Sequence, residues 1–218
     1  MKLYTTIAAI AAATTALTQA AITWTGAVDS DLTNDGNWDF SGSGLASVAG
    51  IDSGTVADDL VIGNAGTSPV FGDLTGQPTW GTTAAFGITL DNATIDNGSG
   101  NDGFGFGTIS LTNGSSLTTF FVDGTLNVDA TSSVNLEGAG DPIPGATAVN
   151  LAVGATITLS SVAEYTEQGS QIFVNGVNYA TDSSILDFSG TTATAVPEPS
   201  SSALLGLGAL ALILRRRK

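Results

Sequence analysis

The chain has 218 residues, 20 acidic and 5 basic, with no Cys and no His, and its cations (Lys2, Arg215, Arg216, Arg217 and Lys218) all sit at the two ends. This leaves no basic patch for nucleic-acid phosphates, no disulfide framework, no Cys/His zinc site, and no His, Lys, Cys or Arg for catalysis in the body. Carboxylates, amides, hydroxyls and a few aromatic rings are what remains for chemistry there.

Residues 1–20 read as a secretory signal peptide. Lys2 is a short positive region, Ile7 to Leu17 is an apolar stretch too short for a stable span, and small residues precede a cleavage site between Ala20 and Ala21. The Sec translocon and signal peptidase are the partners this implies.

Residues 21–180 form the expected passenger. It is rich in Thr, Val, Ile, Gly and Asn and lacks a sustained helical apolar period. Short alternating triplets recur: Ile88-Thr89-Leu90, Ile109-Ser110-Leu111, Leu126-Asn127-Val128, Val134-Asn135-Leu136, Val149-Asn150-Leu151 and Ile157-Thr158-Leu159. Each has the period of a half-buried strand. Leu126 to Val134 and Val149 to Ile157 share one spacing, and the whole pattern returns about every 20–25 residues, as in stacked repeats. The fold expected is all-β: a right-handed parallel β-helix-like β-solenoid, with a β-sandwich as the alternative. The opening Ile22-Thr23-Trp24-Thr25-Gly26 with Asn37-Trp38 is similar to that of bacterial secreted β-helix proteins, and the resemblance implies a cap on the first coil. Ile172 to Tyr179, with Asn175-Gly176 at its centre, predicts a hairpin on a type I′ turn that closes the other end.

Residues 181–196 read as a Ser/Thr-rich linker, and residues 197–218 as a separate C-terminal unit. Pro197-Glu198-Pro199 and three serines precede the apolar run Ala203 to Leu214, and Arg215-Arg216-Arg217-Lys218 ends the chain. The apolar run is helical by composition and a marginal transmembrane segment by length. This order of parts resembles the PEP-CTERM sorting signal of exported proteins in Gram-negative bacteria that make exopolysaccharide. The resemblance implies an exosortase as partner, with Pro197, Glu198 and Pro199 as its recognition motif. It also implies a transient anchor in the inner membrane, Arg215, Arg216 and Arg217 as a stop signal, and release to the cell surface or matrix.

Three carboxylate and amide clusters offer oxygen ligands of the kind Ca²⁺ takes. The first is Asp29, Asp31, Asp35, Asn37 and Asp39, in which the twelfth position counted from Asp31 is Gly42, not the acidic residue of an EF-hand. The second is Asp91, Asn92, Asp96, Asn97, Asn101 and Asp102, and the third is Asp58-Asp59. The alternative for each is that Asp and Asn cap backbone N–H groups in turns. No catalytic residue and no cofactor is expected beyond Ca²⁺. Adjacent strand residues point to opposite faces, which weakens Asp58-Asp59 as a glycosidase pair. Trp24, Trp38, Trp80, Phe104, Phe106, Phe120 and Phe121 suit core packing better than a sugar-stacking platform. The function expected is therefore a structural, non-catalytic surface or matrix protein. A carbohydrate- or Ca²⁺-binding adhesin is the alternative, exopolysaccharide is the candidate ligand, and a polysaccharide-active enzyme is the third reading.

Overall fold

Backbone pairing decides the architecture of a chain whose body has no sustained helical apolar period and no cations for ion pairs. The computed structural model describes residues 21–32, 34–41, 43, 47, 59–64, 69, 79–96, 103–145 and 147–198. The expected signal peptide with Ala20, the apolar run and Arg215, Arg216 and Arg217 lie outside the described residues. The strands are β1 (Ile22–Trp24), β2 (Trp38–Asp39), β3 (Leu60–Gly63), β4 (Thr79–Asp91), β5 (Thr94–Asp96), β6 (Gly103–Thr112), β7 (Ser116–Thr119) and β8 (Val122–Val128). They continue with β9 (Ser133–Leu136), β10 (Ala148–Leu151), β11 (Thr156–Leu159), β12 (Ile172–Val174), β13 (Val177–Asn178), β14 (Leu186–Ser189) and β15 (Thr192–Ala195). One short helix, α1 (Val162–Glu167), follows β11.

The molecule is mostly β. Its strands form a nine-stranded sheet, ordered β13-β12-β10-β8-β6-β4-β3-β1-β2, and a six-stranded sheet, ordered β14-β15-β11-β9-β7-β5. From β4 to β11 the chain visits the larger and the smaller sheet in alternation, and each strand lies parallel to the one a visit earlier. Among the described residues, antiparallel pairing of the kind a hairpin-built sandwich needs is confined to β1–β2 at one end and to β12–β13, β14–β15 and β11–β15 at the other.

The register explains the core. Ile88, Ile109, Leu126, Val149 and Ile172 stand on successive strands of the larger sheet, and so do Leu90, Leu111, Val128, Leu151 and Val174. Ile95, Leu117, Val134, Ile157 and Ala193 make the facing column of the smaller sheet. All of these side chains are buried. Each large aliphatic one contributes about 1.5–3 kcal/mol by leaving water. The polar residue of each triplet points outward and is half-buried, so the period-2 pattern is one buried column on either side of a half-exposed one.

Corners between the sheets are closed by hydrogen bonds that run from one layer to the next. Ala93 N–H donates to Ser115 Oγ, and Ser115 N–H donates to the buried Ser132 Oγ. Asn92 and Asn113 hold φ of 52° and 57° there, a region Asn enters more readily than most residues.

Both ends carry more structure than their composition suggests. Trp24 and Trp38 face each other across β1 and β2, with ring centroids 5.2 Å apart in an edge-to-face arrangement. At the other end, Asn175 and Gly176 have φ of 49° and 85°, and the expected hairpin is present as β12–β13. Residues 181–196, expected as a linker, instead hold a 3-10 turn at Ser183–Ile185 and the β14–β15 hairpin. Ile185, Leu186, Ala193 and Ala195 are buried, because Thr192–Ala195 alternates small apolar residues inward with threonines outward.

Candidate functional site

The C-terminal exit of the chain is built on β15. This strand lies between β11 and β14 and pairs with both. Beyond the strand ladder, Gly154 N–H donates to the Ala195 carbonyl at 2.8 Å, Ala195 N–H to the Ala155 carbonyl at 2.9 Å, and Val196 N–H to the Ile185 carbonyl at 2.9 Å. Pro197 and Glu198 follow at once and are exposed. They share a small groove with Val174, Asn175, Val177, Ile185 and Val196. Pro199 lies outside the described residues.

The first Asp/Asn cluster is a self-satisfied turn. Asp29 Oδ1 accepts from Asp31 N–H and from the Asn37 amide, and Asp29 Oδ2 accepts from the Asn34 amide. These bonds, that from Asp31 N–H foremost, hold the Asp29 carboxyl below its ordinary value. Asn37 is fully buried; its Oδ1 accepts from Val28 and Asp29 N–H, and its amide also donates to the Asp31 carbonyl. Asp39 turns to Ser41, whose side chain and N–H lower its pKa. Thus Asp29, Asn34, Asn37 and the backbone of Asp31 are brought together, whereas Asp29, Asp31, Asp35 and Asp39 do not converge. Among the described residues no group of three or more carboxylates is placed to hold a metal ion.

The other two clusters are divided among strands and corners. Asp91 Oδ1 accepts from the Asn113 amide one layer away, and Asn92 forms its own corner. Asp59 Oδ1 accepts from Gly87 N–H. Asp58, Asn97, Asn101 and Asp102 lie outside the described residues. Of the aromatic candidates, Trp24, Trp38, Phe104 and Phe106 are buried and offer no face to a sugar.

Three features escaped the sequence reading. Asp129 joins two layers: Asn113 N–H donates to Oδ2, and Thr131 N–H and Oγ1 donate to Oδ1. Partial burial opposes its ionisation, but these bonds and one from the Ser132 side chain outweigh it and lower the pKa to about 2. Glu164 on α1 is buried; Oε1 accepts from Ser160 Oγ and Gly140 N–H, and Oε2 has no partner among the described residues. Outside the larger sheet, Ser110, Asn127 and Asn150 stand in register, and the Asn150 amide donates to Asn127 Oδ1 at 3.0 Å. They line a shallow groove of about 390 Å³ that ends at Asp129 and the Asn175-Gly176 turn. No local motif announces these residues, since register across layers brings them together.

Residues 195–218 match the family model of the PEP-CTERM protein-sorting motif. The match begins at Ala195, the last residue of β15, and includes Pro197, Glu198, Pro199 and Arg215, Arg216 and Arg217. PEP-CTERM signals are recognised by exosortases, so the match supports an exported, exosortase-targeted surface protein. Neither the curated proteins nor the solved structures include a match to the chain. Among the described residues no helix is long and apolar enough to cross a membrane.

Proposed function

We propose that the chain is the precursor of an exported surface or extracellular-matrix protein of a Gram-negative bacterium, with a structural, non-catalytic β-solenoid passenger. The observation that carries this is the sorting motif at residues 195–218. In this reading residues 1–20 direct export, residues 203–214 anchor the precursor in the inner membrane with its basic tail inside, and an exosortase releases the passenger. Parallel strands that alternate between two sheets, with columns of like apolar residues, support coils stacked along one axis. The structural role is supported by corner and cluster residues such as Asp29, Asn37, Asp91 and Asp129, whose side chains are engaged in turns and in contacts between strands.

Replacing Pro197-Glu198-Pro199 by three alanines tests the sorting part. The expected product is an unprocessed precursor retained in the inner membrane. Intact-mass analysis that finds the C-terminal segment still removed from this variant would sink the assignment.

The groove over Ser110, Asn127 and Asn150 favours a second reading, carbohydrate binding, because uncharged amides and hydroxyls suit a neutral glycan. Asn127→Ala and Asn150→Ala would then abolish retention on immobilised host exopolysaccharide. Retention unchanged by both substitutions would leave the structural role alone.

A further inference from the structure

We propose that the sorting protease reads its motif from the folded passenger, with β15 in place, and docks against the rim where the chain leaves the fold. The rim consists of the Asn175-Gly176 turn, Val177 and the 3-10 turn Ser183–Ile185. This rests on the exosortase reading above and adds a surface and an order of events to it.

Two observations carry it. First, no spacer separates fold from motif. Ala195 is buried and paired, Val196 is bonded to Ile185, and Pro197 is the next residue. An extended chain gains at most about 3.3–3.6 Å per residue, so a protease gripping Pro197 works within roughly 7 Å of Ala195. From Ala195 to the apolar run at Ala203 the reach is at most roughly 29 Å. Pro197 and Glu198 themselves line one groove with Asn175, Val177 and Ile185, so an enzyme that holds the motif meets those rim residues.

Second, β15 is costly to peel. It is an interior strand of its sheet, its removal breaks pairing to both β11 and β14, and it carries Ala193 and Ala195 out of the core. The buried Tyr165 would also lose its contact with the Thr191 carbonyl. The protease therefore receives chain only from about Pro197 onward, and the mature protein keeps a complete β15.

The absence of Cys permits a direct test in the full-length precursor. Thr156 and Thr194 are paired on β11 and β15, next to the exit at Ala195. Facing antiparallel residues have the Cα spacing a disulfide needs, and exported chains meet oxidising conditions. Thr156→Cys with Thr194→Cys would lock β15 close to the exit, with each single variant and growth in reductant as folding controls. The locked precursor is expected to be processed at the rate of its reduced form. Separately, a photo-crosslinking amino acid at exposed Ser184 is expected to capture a tagged exosortase, while the same group at Val28, exposed at the other end of the molecule, captures none. Loss of processing on locking overturns the proposal. So does failure of the Ser184 probe to capture the enzyme, or equal capture at Val28. Failure of the unmodified precursor to be processed overturns the exosortase reading itself, which keeps the two failures apart.

Discussion

Asp129 shows how a single acidic residue stabilises a body that has no cations. Its carboxylate joins the corner of one layer to the next by accepting hydrogen bonds from Asn113 and Thr131. Its pKa falls to about 2 in the fold, against an ordinary value of 3.8. The folded form thus binds the proton less readily than the unfolded chain. The stabilisation is present above pH ~4 and is lost as pH falls toward 2. Asp29, Asp39 and Asp182 are shifted downward too, so their contributions have the same sign. Asp129→Ala is expected to cost about 1 kcal/mol at pH 7, after allowance for solvent screening, and close to nothing at pH 2. Urea unfolding at both pH values measures this. An equal cost at pH 2 and pH 7 would show that the carboxylate's charge is not what the corner uses.

At the scale of the element, Gly124 sets how β8 enters the larger sheet. It has φ of 113°, and a Cβ added there would lie 1.7 Å from the Phe106 carbonyl oxygen on β6. The register between β6 and β8 shifts at this point, between Gly105 and Thr108. Gly124→Ala combines a backbone conformation closed to L-residues with an overlap that only a moved strand can relieve. A loss of at least about 3 kcal/mol is expected. Thermal unfolding within a degree of the wild type would mean that the two strands separate freely there.

The same scale shows what the sequence made legible. All six triplets with apolar residues two apart lie on strands, because period-2 alternation is a local property that register only aligns. Asn175-Gly176 was legible as a turn because both residues tolerate positive φ. Thr192-Ala193-Thr194-Ala195 was hidden because alanine is too weakly apolar to stand out, and its burial is supplied by β11 and β14. The aspartate clusters looked like ligand sets because Asp serves turns and cations with the same oxygens. Only the partners of Asp29 and Asp91 separate the two uses.

For the whole molecule the governing fact is that every acidic residue except Glu198 lies between Ala21 and Val196, with no basic side chain among them. Coulomb repulsion is therefore offset by hydrogen bonds and apolar columns, not by ion pairs. Screening shortens its range to about 10 Å at 0.1 M salt and to about 3 Å at 1 M. Added NaCl is expected to raise the melting temperature of residues 21–196. Each 1 kcal/mol of relieved repulsion is worth about 2–4 °C at this size. A specific Ca²⁺ site would add stability by mass action on top of screening. The Asp29 carboxylate already accepts three N–H donors, which would have to turn away before a cation could replace them. The expected result is therefore equal melting temperatures in millimolar Ca²⁺ and in Na⁺ of matched ionic strength, each above the low-salt value. A higher value in Ca²⁺ that disappears in Asp29→Asn would overturn the turn reading and make that loop a cation site.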